Sequence, residues 1–156
     1  GALQVRGPTV LSRYLGEPAE KARGWLDTGD IAKLHPDSTV EIVDRSKDVI
    51  KSGGEWISSP ALEAAALTHP AIAEAAAIAI PHPRWQERPL LLCVLAKDAT
   101  VTVDALQEHL AATLAKWWIP DDIRFVIDLP KTTVGKINKA QLRVLFANPE
   151  TMSEQP

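Results

Sequence analysis

The chain has 156 residues and a formal charge of −3; it is 46% apolar and 24% charged, and holds one cysteine. That balance fits one globular domain, or one and a fraction, and excludes a general electrostatic grip on nucleic acid or anionic lipid. A single thiol rules out an intrachain disulfide, and no stretch approaches the roughly 20 apolar residues that a bilayer span requires.

Residues 1–45 read as short strands at 3–6, 31–34 and 39–44, separated by Gly-Pro, Gly-Glu-Pro and His-Pro-Asp punctuation. Few long apolar side chains occur there, so this stretch is expected to rest on a partner. The opening Gly1-Ala2-Leu3-Gln4-Val5-Arg6 lacks an initiator methionine and has neither the charged flank nor the apolar block of a signal peptide. It reads as the interior of a longer chain, and a reducing cytoplasm is the expected setting.

The pattern changes at Asp48. Strands at 48–51 and 55–57 flank Ser52-Gly53-Gly54, the signature of a β-hairpin with glycines at its turn. Ser59-Pro60 predicts a helix cap followed by proline in the first turn, with Glu63 near the positive end; Pro70 stops that helix at about His69. Two buried strands follow at 71–80 and 88–97, the second holding Cys93 as a small hydrophobe. Val103, Leu106, Leu110, Leu114 and Trp117 recur at spacings of three and four and predict one amphipathic helix, closed by Pro120. A strand at 123–127, a closing helix at 139–147 and a frayed end complete the chain. The expected class is α+β: a small three-stranded sheet with helices packed on it plus a β-hairpin, preceded by a β-rich remnant of a larger domain. The divisions expected are 1–46, 47–148 and a flexible tail at 149–156.

Four segments carry polar chemistry. Thr28-Gly29-Asp30 reads as a turn whose aspartate bonds nearby backbone, or as a carboxylate accepting from two vicinal ribose hydroxyls. Arg45 and Lys47, between Asp44 and Asp48, form a solvated basic edge or a nucleotide contact beside a pivot. The Ser52-Gly53-Gly54 turn also permits close approach of a ligand to the backbone, with Trp56 as core or channel cover. Gly135-Lys136 is not a P-loop, because Pro130 stands where the first glycine belongs and Ile137 where serine or threonine belongs. Lys131, Lys136 and Lys139 form a solvated cluster unless the loop projects one ammonium into a reaction centre. His35, His69, His82 and His109 lack ligand spacing, so no metal site is expected, and no Gly-x-Ser-x-Gly elbow exists.

Together, in order and spacing, these segments resemble the adenylate-forming enzymes: acyl- and aryl-CoA synthetases, luciferases and peptide-synthetase adenylation domains. The resemblance runs through essentially the whole chain and is to the family's carboxyl-terminal part. It implies Asp30 and Arg45 as nucleotide-binding residues, Lys47 as hinge, Lys136 as the catalytic lysine of adenylation, and Gly53 and Gly54, with Trp56 beside them, at the CoA tunnel. It also implies a role for Lys51 in the second half-reaction. Lys-Ser-Gly-Gly-Glu-Trp-Ile-Ser-Ser, Lys116-Trp117-Trp118-Ile119-Pro120-Asp121-Asp122 and Pro83-Arg84-Trp85-Gln86-Glu87-Arg88-Pro89 resemble medium- and long-chain fatty acyl-CoA synthetases. The implied substrates are fatty acid, ATP and CoA, with Mg2+ used by the intact enzyme and not held by this part. The family's phosphate loop and acyl pocket lie in an amino-terminal domain that is not in this sequence, so the chain alone is expected to be inactive and open to self-association through strand edges. No arginine matches a ligand for the CoA 3′-phosphate; Arg84 and Arg88 are the candidates. The competing readings are a free-standing nucleotide- or CoA-binding module and a ligase for aryl or short-chain acids.

Overall fold

A computed structural model describes residues 1–10, 16 and 24–146. The tail at 149–156 and the last residue of the expected closing helix, Ala147, lie outside the described residues. The chain divides into two compact units, Gly1–Lys47 and Asp48–Pro156.

The first unit is a three-stranded antiparallel sheet of β1 (Ala2–Val5), β2 (Leu26–Leu34) and β3 (Val40–Arg45), in that order. The Thr28-Gly29-Asp30 triplet, read from sequence as a turn, lies inside β2. Local side-chain bonds gave it that appearance: the Gly29 N–H donates to Asp27 Oδ1 at 2.9 Å and the Asp30 N–H to Thr28 Oγ1 at 3.1 Å. Gly29 takes φ of +73°, a conformation cheap only for glycine, and the strand continues past it. Leu34, Val40 and Ile42 stay exposed, consistent with a sheet too poor in apolar residues to cover itself.

The second unit is built on a five-stranded sheet. β4 (Ile50–Ser52) and β5 (Glu55–Ile57) form the expected hairpin, which joins the sheet edge through Ser52 opposite Gln86 of β7. β6 (Ile72–His82) and β7 (Gln86–Leu95) are long antiparallel neighbours, and β8 (Asp122–Phe125) lies parallel to β7. Parallel pairing needs a long crossover, and α2 (Val103–Ala111) supplies it. Successive residues of the two long strands enter different cores. Ala75, Ala77, Leu91 and Cys93 pack with Leu62 and Ala66 of α1 (Ser59–Leu67) and with Leu106 and Leu110 of α2. Ala76, Ile78, Leu90 and Leu92 pack with Leu129 and with Leu142 of α3 (Lys139–Phe146). Burial on both faces is why these strands read as continuous apolar runs.

Three sequence expectations shift here. The cap of α1 is Ser58, whose hydroxyl accepts the Ala61 N–H at 3.3 Å, so Ser59 is already helical. Glu63 lies beyond the first turn of α1, and its carboxylate accepts from Lys139 Nζ and from the Ala77 N–H, at 2.7 and 2.8 Å. The helix expected through Trp117 stops at Ala111, and Lys116–Trp118 forms a separate 3₁₀ turn.

Candidate functional site

In the first unit, cross-strand register sets Asp30 of β2 opposite Arg45 of β3, and Arg45 Nε donates to Asp30 Oδ1 at 2.8 Å. The carboxylate is mostly covered and the guanidinium largely exposed. The sheet thus brings together the two residues expected at a nucleotide. Lys47, exposed, is the last residue of this unit.

Lys136 sits in a tied turn of the second unit. A bridge pairs Lys131 with Ile137; Thr132 donates its N–H to the Lys136 carbonyl at 2.7 Å, and the Lys136 N–H returns to Thr132 Oγ1 at 3.2 Å. Gly135, at φ of +80°, makes the reversal possible. The turn leads into α3, whose first turn is capped by Asn138 Oδ1 accepting the Gln141 N–H. The three lysines of this region separate sharply. Lys131 Nζ is held by Glu74 at 2.9 Å and Asp128 at 3.2 Å; those bonds, Glu74 first, push its pKa above the ordinary value. Lys139 Nζ is held by Glu63 and by Ser59 Oγ, each at 2.7 Å. Lys136 is exposed and its ammonium has no ion-pair partner among the described residues. An Arg143–Asp48 pair fastens α3 to the first residue of the unit.

Lys51, Gly53, Gly54 and Trp56 share the β4–β5 hairpin. Gly53 and Gly54 both take positive φ, +61° and +89°, as a two-residue hairpin turn demands. Gly53 backs onto Trp85: its N–H donates to the Trp85 carbonyl at 2.9 Å, and a Cβ there would lie 2.8 Å from the indole. Gly54 faces open space, so its backbone is approachable. Lys51 and Trp56, paired across the hairpin, are both exposed.

Beside the hairpin lies a pocket of about 260 Å³ lined by Ser52, Gly53, Glu55, Trp85, Trp117 and Asp121, with Arg88. Of the two arginines considered for a phosphate, Arg84 lies over the Trp85 ring at 4.5 Å, a cation–π contact. Arg88 is buried and donates to Asp121, Ser52, Trp117 and Ile119, as detailed below. Sequence reasoning missed the pocket as a unit. The available signal was Arg88 itself, a charge at the head of an otherwise apolar strand, which must find partners when buried. The hairpin, the Lys136 turn and the Asp30–Arg45 pair are three separate features, the first two in the second unit. Among the described residues, no three His, Cys, Asp or Glu side chains gather as metal ligands, and no helix is long and apolar enough to cross a membrane.

This combination of a small two-faced α+β unit, a glycine hairpin and a tied lysine turn defines a carboxyl-terminal domain of the kind found in AMP-binding enzymes, and residues 61–136 match the family model of that description, AMP-binding enzyme C-terminal domain. Over 148 residues the chain is 48% identical to the 3-methylmercaptopropionyl-CoA ligase of Ruegeria lacuscaerulensis, covering 94% of this chain and 28% of that one. It is 46% identical over 154 residues to the long-chain-fatty-acid–CoA ligase of Thermus thermophilus, covering 95% and 28%. The crystal structure of ATP-bound MatB from Rhodopseudomonas palustris superposes with a TM-score of 0.84 at 31% identity, covering 95% of this chain and 30% of that one. The chain belongs to the adenylate-forming superfamily, as a carboxyl-terminal part. It spans a little over a quarter of the length of these relatives.

Proposed function

We propose that the chain works as the carboxyl-terminal lid of a longer ATP-dependent acyl-CoA synthetase. In the first half-reaction a carboxylate oxygen attacks the α-phosphate of ATP, forming the acyl adenylate and releasing pyrophosphate. Two anions meet in that step, and the Lys136 ammonium offsets the charge that grows between them. In the second half-reaction the CoA thiolate attacks the acyl carbon and AMP leaves. Rotation about Lys47 withdraws Lys136 and brings up the Gly53-Gly54 hairpin, with Lys51 and Trp56, to line the thiol's path. Asp30 accepts from the ribose hydroxyls and Arg45 fixes that carboxylate. Mg2+ would accompany ATP; no step here uses a residue of this chain as its ligand.

The observation that carries this reading is the contrast among the lysines: Lys131 and Lys139 are spent in ion pairs, whereas Lys136 is projected from a tied turn with no ion-pair partner among the described residues. The acid is proposed to be a medium- or long-chain fatty acid. Relatives of nearly equal identity act, by name, on 3-methylmercaptopropionate and on long-chain fatty acids, so a competition assay across chain lengths and aryl acids is the direct test of substrate. The test of mechanism is Lys136→Ala in the full-length enzyme. Adenylate formation should fall by about 10²–10³-fold, the usual effect of removing one preorganised donor. Thioester formation from supplied acyl adenylate should persist. Equal loss in both halves refutes the division of labour.

A further inference from the structure

We propose that Arg88 is a positioning residue for thioester formation, holding the glycine hairpin in register with the Trp117 segment without touching substrate; the functional part rests on the ligase reading above. A guanidinium has five N–H donors in a fixed fork, and all five of Arg88's are engaged. Nε donates to Asp121 Oδ2 at 2.5 Å; Nη1 donates to Ser52 Oγ at 3.1 Å and to the Trp117 carbonyl at 2.8 Å; Nη2 donates to the Ile119 carbonyl at 2.7 Å and to Asp121 Oδ1 at 3.1 Å. No donor is left for a phosphate. The side chain is buried, and the bidentate carboxylate keeps that buried charge paired.

The partners decide what such a hub does. Ser52 is the residue before Gly53, and the hairpin joins the sheet at a single opposed pair, Ser52 with Gln86. Trp117 and Ile119 belong to the irregular link between α2 and β8, where no ladder fixes the backbone. Arg88 therefore ties two walls of the pocket, the hairpin at Ser52 and the segment at Trp117, to β7, a strand paired along its whole length. Lysine could not substitute, since three donors on a point charge cannot span four partners at once.

The experiment uses the full-length protein with Arg88→Lys, and the milder Ser52→Ala, which removes only the hold on the hairpin. Adenylation is followed by pyrophosphate release, thioester formation from supplied acyl adenylate at graded CoA, and amide hydrogen exchange by segment. Expected for both variants is a KM for CoA raised by about tenfold or more, since small misplacements at a site cost this much, with adenylation within about twofold of wild type. Hairpin amides over 51–56 should exchange faster while those of β6 and β7 keep their protection. Unchanged hairpin exchange, or both half-reactions falling in step, overturns the proposal. Should the wild type form no acyl adenylate, the ligase reading fails by itself, and the exchange arm still decides whether Arg88 holds the hairpin.

Discussion

Gly53 and Gly54 adjoin in sequence and both take positive φ, yet an added methyl group should cost different amounts at the two. Forcing alanine into left-handed backbone costs roughly 1–2 kcal/mol at either position. At Gly53 the new Cβ would also lie 2.8 Å from Trp85 Cε3, about 1 Å inside normal contact, whereas at Gly54 nothing lies within 4 Å. Relieving such overlap typically costs about 1–3 kcal/mol. Here the indole would have to leave the turn, while its carbonyl still holds the Gly53 N–H. A double-mutant cycle with Trp85→Ala cancels the backbone cost and isolates the overlap. Urea unfolding of the four proteins in each cycle should give a coupling of about 1–3 kcal/mol between Gly53→Ala and Trp85→Ala. For Gly54→Ala and Trp85→Ala it should be under about 0.5 kcal/mol. Equal couplings would show that the indole yields freely and that the close approach has no energetic meaning.

Lys47→Pro, by fixing φ, should leave adenylation nearly intact and stall transfer to CoA; normal transfer would place the pivot elsewhere. Glu63→Gln weakens the Lys139 tie at the base of α3, so adenylation should drop more than thioester formation, read by the same two assays. Burial pushes the Cys93 thiol up to about 12, so it should resist maleimide until the second unit unfolds, and labelling rates should follow urea unfolding. Bonding from Arg88 holds the Asp121 carboxyl below the ordinary value of 3.8. Its contribution is therefore complete above the unfolded-state value and is lost as pH falls below 3.8 through the lower folded-state value. Asp121→Asn should therefore lower thermal stability most at neutral pH and least below that window, which flattens the acid limb.

How much of this was readable in advance depended on the range of the forces involved. Local chemistry announced itself: Pro60 and Pro70 around α1, paired glycines at the hairpin, and apolar runs in strands clad on both faces. The errors arose where distant residues intervene. Periodicity carried α2 on to Trp117, but the carbonyls of Trp117 and Ile119 accept from Arg88, a residue of another strand, and the backbone there follows the guanidinium. Glu63 was placed at a helix dipole, whereas Lys139, 76 positions away in sequence, claims it. Of the site, the resemblance already singled out Lys136, Asp30 and Arg45, whereas the register that pairs Asp30 with Arg45 and the ion pairs that occupy Lys131 and Lys139 join residues that no spacing rule connects.

The double cladding of β6 and β7 has a mechanical consequence. Helices pressed against both surfaces make the sheet a stiff plate, since bending it either way would compress one close-packed interior and open the other. A torque applied at one margin is therefore delivered to every loop at once. On the proposed reading, a single turn near residue 47 exchanges lysine for hairpin without separate machinery to move each.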